Sequence, residues 1–97
     1  MPSPSAVIKG KRDAILACVA RHRARNPRVF GSVARSEDTP ESDLDLLVDP
    51  AEGATLFYLG ELQVELEALL GIHVDVVTPD DLPASIRKRA CSEARPL

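Results

Sequence analysis

Residues 29–35 of this chain have the sequence VFGSVAR, and residues 42–48 have the sequence SDLDLLV. The first segment is a short apolar run that stops at the pair Gly31-Ser32, and glycine at such a turn takes a positive φ without steric cost. The second segment alternates aspartate with apolar residues, as a strand does when only one of its faces is buried. The two segments therefore predict two strands separated by a turn and a polar loop.

The other elements follow from apolar periodicity and from residues that end helices and strands. A stripe of leucines that begins at Leu56 predicts a long helix, and Gly71 suits the position just past its end. Asp80 or Asp81 is the predicted cap of the last helix. The predicted order is helix 6–25, strand 29–30, short helix 33–37, strand 44–49, helix 55–70, strand 72–78 and a last helix to about residue 94.

This order predicts an α/β protein with a small mixed sheet of about three strands packed with about four helices. With 97 residues we expect a single domain, residues 1–97. Its core must consist of Leu, Val, Ile and Ala, because aromatic residues make up only 3% of the chain. Helices mainly on one side of a sheet leave apolar surface on the other, so the sequence leaves self-association as a homo-oligomer open.

Three aspartates fall in phase on the two later strands. If the apolar rows of both strands pack on the helices, then Asp43, Asp45 and Asp75 lie together on the opposite face. Residues two apart on a strand are separated by roughly 6–7 Å, so such carboxylates can converge on one metal centre. Their oxygen atoms favour Mg²⁺ or Mn²⁺ over zinc.

Three neighbouring carboxylates repel one another, and a divalent cation removes that repulsion. A pair of such ions would make a site for phosphoryl transfer. A single Asp-x-Asp is common on exposed strands and is weak evidence by itself. The third aspartate in phase, together with the Gly-Ser turn upstream, strengthens the prediction.

The turn after the first strand offers groups that suit a triphosphate. Gly31 lets the backbone approach a phosphate closely, and the Ser32 hydroxyl and the following N–H groups are donors. Arg35 has two interpretations. It pairs with a phosphate oxygen, or it is a surface arginine that anchors the acidic loop that follows it, residues 36–42. The chain lacks the Gly-x-x-x-x-Gly-Lys-[Ser/Thr] pattern, so it is not a P-loop protein.

Charge is distributed unevenly around a net value of −3: every Lys and Arg lies at or before Arg35 or at or after Arg87. The acidic middle and basic ends are either solvated faces, or a cation site flanked by groups that meet phosphate or an acidic partner. We do not expect a nucleic-acid partner, because the chain is acidic and poor in stacking aromatics. We expect His73, on the same strand face as Asp75, to be structural, and His22 to be a surface residue.

Cellular location is inferred from absences in the sequence. The N-terminal residues show no apolar signal segment, and the longest apolar run, residues 14–20, is too short to cross a bilayer. Cys18 and Cys91 lie far apart, without the spacing of a metal finger, and we expect two small buried or half-buried thiols in a reducing compartment. The sequence therefore predicts a cytoplasmic protein without membrane contact.

Taken together, VFGSVAR and SDLDLLV closely resemble the DNA polymerase β-type nucleotidyltransferase superfamily, and within it the minimal nucleotidyltransferases. The resemblance continues through residues 56–70 and through GIHVDVVT at residues 71–78, into the last helix. It implies the polymerase β-type fold. It also implies that the Gly31-Ser32 pair contacts the triphosphate of ATP, and that Asp43, Asp45 and Asp75 bind Mg²⁺ or Mn²⁺ and catalyse the reaction.

The chain departs from that pattern at two places. Many relatives have glycine where this chain has Ser36, and we expect little effect of that change. The last helix has small residues, Ala90, Cys91 and Ala94, where many relatives are bulkier. The resemblance therefore does not extend to the docking of this helix or to the surface that it offers a partner.

The resemblance also implies an activity. Many members of this group are encoded beside HEPN-domain proteins and act as antitoxins of toxin–antitoxin modules, and some transfer AMP from ATP to a tyrosine of the toxin. It implies a Mg²⁺-dependent protein adenylyltransferase with ATP as substrate and a HEPN toxin as acceptor and partner. The alternative is a non-catalytic antitoxin that neutralises its partner by forming a complex. A chain this short leaves little room for a second domain, so we expect the acceptor to be another folded protein.

Overall fold

The computed structural model describes residues 2–97. Met1, part of the loose start that the sequence predicts, and the side chain of Leu56, part of the predicted leucine stripe, lie outside the described residues. The elements are α1 (Pro4–Lys9), α2 (Arg12–Arg21), β1 (Ala24–Phe30), β2 (Leu44–Pro50), α3 (Leu56–Leu70), β3 (Val74–Val77), a 3-10 helix (Pro79–Asp81), α4 (Ala84–Glu93) and β4 (Arg95–Pro96).

The predicted α/β class and mixed sheet are confirmed, but the sheet has four strands where the sequence predicts about three. Their order is β3-β2-β1-β4. Strand β2 runs antiparallel to β1 and parallel to β3, and β4 runs antiparallel to β1. The sequence missed β4 because it has only two residues, one of them proline, and so shows no alternation.

The N-terminal part differs from its prediction. The single helix expected over residues 6–25 is two helices separated at Gly10, which is the C-cap of α1. Strand β1 then begins at Ala24, and Asn26-Pro27 lies inside it as a bulge between Arg25 and Arg28. Proline cannot donate a ladder hydrogen bond and asparagine takes a positive φ cheaply, here 53°, so the pair bends the strand instead of ending it.

Two shorter predictions are also corrected. Residues 31–36 form consecutive turns, and the helix predicted over residues 33–37 is not present. The last helix begins later than predicted, at Ala84, and neither Asp80 nor Asp81 caps it. Asp81 closes a capping box with Thr78 on the 3-10 helix, and Leu82 is extended because the residue before a proline avoids the helical region.

The core lies between the sheet and the helices α2 and α3. The alternating residues Leu44, Leu46 and Val48 of β2 are all fully buried there. They pack with buried side chains of α2, α3 and the flanking strands, which are Ile15, Cys18, Val19, Val29, Leu62, Leu66 and Val74. Burial of this row on one face turns the odd-numbered residues of β2 to the other face.

The second face of the sheet is partly covered. The 3-10 helix contacts β2, and α4 contacts β1. Leu47, on this face, is also completely buried. None of the helices among residues 2–97 has the length and apolar character needed to cross a membrane.

Candidate active site

Two of the three predicted aspartates are direct neighbours across parallel strands. The register pairs Asp45 of β2 with Asp75 of β3, between the core pairs Leu44–Val74 and Leu46–Val76. Adjacent strands lie about 4.8 Å apart, so the two carboxylates leave the sheet side by side. The shared phase that the sequence predicts is therefore present in the fold.

Asp43 joins them from just before β2. The N–H of Leu44 donates to the carbonyl oxygen of His73, at 3.0 Å, which holds the start of β2 beside the start of β3. One ligand atom each of Asp43, His73 and Asp75 lie within 4.8 Å of one another. The structure thus brings the three aspartates together, while their roles in metal binding and catalysis stay predictions.

His73 belongs to this cluster, which the sequence did not anticipate. Its Nε2 lies 3.2 Å from Oδ1 of Asp75, and its Nδ1 lies 2.8 Å from Oε2 of Glu67. Glu67 also accepts a hydrogen bond from the N–H of Val74, at 3.1 Å. The sequence contained the signal for His73, because it lies two residues before Asp75 on the same strand face. No pattern in the sequence pointed to Glu67, which reaches the cluster from α3.

The electrostatics of the cluster are those of an unneutralised acidic site. Burial raises the pKa of Asp45, and the negative charges of Asp75 and then Asp43 raise it further. Desolvation lowers the pKa of His73, but the charges of Asp75, Asp43 and Glu67 outweigh it and the pKa is raised. The raised pKa values of Asp45 and His73 both mean that added positive charge is favourable here. A bound divalent cation would supply such charge.

Gly31 has a geometry that only glycine can adopt here. Its φ is +69°, in the left-handed region, as its place in the turn predicts. A Cβ atom at this position would lie 2.5 Å from Oδ2 of Asp45. The turn therefore passes directly over the half-buried Asp45, and a ligand held by the turn is held next to that carboxylate.

The turn from Gly31 to Glu37 is closed by its own backbone. The N–H of Arg35 donates to the carbonyl of Gly31 at 3.2 Å, and the N–H of Glu37 donates to the carbonyl of Ser32 at 2.9 Å. Within residues 2–97, the N–H groups of Ser32, Val33 and Ala34 have no protein acceptor. Successive N–H groups in a turn are suited to phosphate oxygens.

Arg35 is paired with carboxylates. Its Nε lies 3.0 Å from Oε2 of Glu37, and its Nη1 lies 3.3 Å from Oε2 of Glu93 on α4. These pairs favour the interpretation of Arg35 as an anchor between the acidic loop and α4. Arg35 also borders a cleft of about 410 Å³ between Gly31 and α4, whose wall includes Phe30, Ile86 and Ala90.

Other charges of the acidic middle are used in the fold itself. Arg28 reaches Asp49 with Nη2 at 3.1 Å from Oδ1, and Asn26 donates to its Oδ2 at 3.0 Å. Hydrogen bonds from Arg28 and then Asn26 lower the pKa of Asp49. The basic N-terminal part of the chain therefore neutralises part of the acidic middle, whereas no Lys or Arg among residues 2–97 forms a salt bridge with Asp43, Asp45 or Asp75.

Comparison with known proteins identifies the family. The sequence profile of the family described as "Nucleotidyltransferase domain" matches residues 18–97. The chain belongs to the nucleotidyltransferase domain family. One relative is "Putative protein adenylyltransferase MJ0435" of Methanocaldococcus jannaschii, 38% identical over 80 residues, which are 82% of this chain and 86% of that protein. "Protein adenylyltransferase MntA" of Thermococcus cleftensis is 42% identical over 73 residues, 75% of this chain and 74% of that protein.

Solved structures agree with this family and fold. A structure described as "putative minimal nucleotidyltransferase" is 45% identical and superimposes with a TM-score of 0.85, covering 96% of this chain and 95% of that chain. The crystal structure of a toxin–antitoxin with AMP-PNP contains a chain with a TM-score of 0.73, over 87% of this chain and 69% of that chain. At 19% identity the second likeness concerns the fold alone.

Proposed function

We propose that this nucleotidyltransferase is a Mg²⁺-dependent protein adenylyltransferase that transfers AMP from ATP to a hydroxyl group of a partner toxin, and so acts as an antitoxin. The main support is the in-register pair Asp45–Asp75, with Asp43 beside it and the Gly31 turn directly above. A nucleotide whose phosphates lie on that turn has its α-phosphate next to three carboxylates.

The three aspartates are the proposed ligands of the divalent ions. Their hard oxygen donors and uncompensated charge fit Mg²⁺ or Mn²⁺. When bound, such ions neutralise charge on the phosphates and lower the pKa of the attacking hydroxyl. Asp43 and Asp45 orient the α-phosphate region from β2, and Asp75 receives the proton of the acceptor hydroxyl or shares in ion binding. The acceptor oxygen forms a bond to the α-phosphorus, and pyrophosphate leaves.

The turn and its neighbour have proposed roles in binding ATP. Gly31 gives the close approach, and the Ser32 hydroxyl with the N–H groups after it donates to the β- and γ-phosphates. Arg35 keeps α4 beside the turn through Glu93, and its guanidinium is close enough to the cleft to meet a phosphate oxygen when the nucleotide is bound. The proposal thus gives Arg35 both of the roles that the sequence left open.

The proposed acceptor comes from the relatives. Two of them are named protein adenylyltransferases, and one of these is named MntA. Crystal structures of a toxin–antitoxin named MntA-HpeT share the fold. We propose by this analogy that the partner is a HEPN-domain toxin and that the modified group is a tyrosine hydroxyl.

A second candidate is a non-catalytic antitoxin that covers its partner. It is favoured by apolar side chains on the outer face of α3, where Phe57 is 73% exposed and Val64 is 67% exposed. Exposed apolar residues that share one helix face commonly mark a contact surface. The two candidates differ in what the aspartates do, because neutralisation by covering needs no metal.

The deciding experiment uses ATP labelled at the α-phosphate, Mg²⁺, the purified chain and a lysate of the source cell. We expect one labelled protein band, which is absent with Asp43→Asn/Asp45→Asn. Asp49→Asn is the matched control, because it removes an aspartate from the same face of the same strand at a site paired with Arg28. Labelling should survive that change. No label from the wild-type chain, with partner neutralisation retained by the double variant, would favour the second candidate.

A further inference from the structure

A second group of metal-binding side chains lies between α2 and α3, on the opposite side of the sheet from the aspartates. Cys18 and His22 are four residues apart at the end of α2, and Glu61 and Glu65 are four residues apart on α3. Residues at this spacing share a helix face, so each helix presents two such groups to the other. One ligand atom each of Cys18, His22 and Glu65 lie within 4.8 Å of one another.

The outer atoms of these side chains are already held in place. Nε2 of His22 contacts Oε2 of Glu65, while its Nδ1 lies 3.8 Å from Oε2 of Glu61. The other oxygen of Glu65, Oε1, accepts a hydrogen bond from Nη2 of Arg21 at 2.5 Å. Nε2 of His22 and Oε2 of Glu65 thus face each other, and the charged neighbours Glu61 and Arg21 hold the other imidazole nitrogen and the other carboxylate oxygen from outside. Metal ligands are commonly oriented in this way.

The group is also unusual as a purely structural contact. Cys18 is buried, and the side chain of His22 is only 13% exposed. The sulfur of Cys18 lies within 4.8 Å of a carboxylate oxygen of Glu65. A buried cysteine that serves only for packing has no need of a carboxylate beside its sulfur.

We infer that Cys18, His22 and Glu65 form a zinc site, separate from the aspartate cluster and not required by the proposed reaction. Thiolate, imidazole and carboxylate are common zinc ligands, and soft sulfur disfavours Mg²⁺. Binding releases the proton of the Cys18 thiol, and the thiolate and the Glu65 carboxylate then balance the two positive charges. His22 and Glu65 border a groove along α3 that Gly60 also lines, and water from this groove would supply the remaining ligand.

The test uses Co²⁺ as a spectroscopic stand-in for Zn²⁺ on the full chain, with Asp43→Asn/Asp45→Asn introduced to remove binding at the aspartates. We expect one Co²⁺ per chain, a sulfur-to-cobalt charge-transfer band, and loss of the band when Zn²⁺ is added. Cys18→Ser should abolish the band, and Cys91→Ser should leave it unchanged because Cys91 is exposed and distant in sequence. Zn²⁺ should also raise the Tm of the chain, in proportion to its binding.

The outer groups give a graded check that does not depend on replacing the buried thiol. Glu61→Gln and Arg21→Gln should each weaken Co²⁺ binding by about 10-fold, as loss of an outer partner does. Glu65→Gln or His22→Gln should weaken it by more. The inference fails if the protein that retains Cys18 gives no charge-transfer band, or if the band survives Cys18→Ser. It also fails if His22→Gln and Glu65→Gln leave the affinity for Co²⁺ unchanged. It also fails if all Zn²⁺ binding disappears with the two aspartate replacements.

Discussion

The two ends of β2 place the same residue type on the same face and use it in opposite ways. At one end Asp45 has a raised pKa, because burial and two other aspartates oppose its charge. At the other end Asp49 has a lowered pKa, because Arg28 and Asn26 donate hydrogen bonds to it. Asp49 has its compensating positive charge in Arg28, whereas no Lys or Arg among residues 2–97 forms a salt bridge with Asp45. This difference separates a structural aspartate from a site aspartate more clearly than exposure does.

The largest expected effect comes from exchanging each carboxylate for an amide. Asp45→Asn should lower AMP transfer at least about 100-fold, because loss of metal binding costs several kcal/mol in the transition state. Asp49→Asn should leave transfer within a few-fold, and should lower the free energy of unfolding by about 1 kcal/mol, since the pair with Arg28 is partly exposed. Labelled transfer assays and urea unfolding of both variants measure this. Equal loss of transfer in both variants would remove the distinction.

Gly31 tests how closely the turn approaches the site. Gly31→Ala should lower stability by about 2 kcal/mol or more and abolish transfer, because it combines a left-handed φ with a Cβ placed against Asp45. Gly71→Ala is the matched control, since its φ is +70° and nothing lies within 4 Å of the added Cβ. That variant should lose only about 1 kcal/mol and keep its activity. Thermal unfolding with a transfer assay compares the two glycines.

The pH dependence should have opposite signs at the two ends. The raised pKa of Asp45 means that its contribution to stability is complete below the ordinary aspartate value of about 3.9, and is lost as the pH rises through the folded-state pKa. The lowered pKa of Asp49 means that its contribution is complete above that value, and is lost as the pH falls through the folded-state pKa.

Relative to the wild type without Mg²⁺, Asp45→Asn should therefore gain stability as the pH rises from about 3 to about 7, and Asp49→Asn should lose it. Urea unfolding at several pH values measures both trends. If the cluster is the proposed metal site, Mg²⁺ should then stabilise the wild type more than Asp45→Asn. A fall in the relative stability of Asp45→Asn with rising pH would contradict the assignment of an uncompensated charge.

At both ends of β2, the sequence predicts the features that neighbouring residues determine. It does not predict the features that arise from contacts between residues distant in sequence. The alternation in β2 and β3 fixes the faces of Asp45 and Asp75 because the side-chain period of a strand is 2. The bulge at Asn26-Pro27 was missed, because a proline that breaks a helix can also bend a strand when a partner strand covers it. Glu67 was missed for a similar reason, since its contact with His73 arises from the packing of α3 beside β3. Neighbours in space but not in sequence leave no periodic signal.

Backbone strain gives the smallest of the expected effects and again contrasts the two ends. Ser36, in the turn at the site end, has a φ of +58°, and Asn26, in the bulge at the paired end, has a φ of +53°. A left-handed conformation costs most L residues about 1–2 kcal/mol, while asparagine visits it readily. The left-handed φ of Ser36 thus has a cost that a glycine would not have, and that the sequence did not indicate.

Ser36→Gly should raise the free energy of unfolding by about 0.5–1 kcal/mol, because relief of the left-handed φ exceeds the added chain entropy of glycine. For a domain of this size that corresponds to a rise in Tm of about 4 °C, measured by calorimetry. Asn26→Gly should instead lower stability slightly, since the hydrogen bond from Asn26 to Asp49 is lost and little strain is relieved. If the two glycine variants shift Tm by the same amount in the same direction, the strain at the site end is no greater than at the paired end. The difference between the ends would then rest on charge alone.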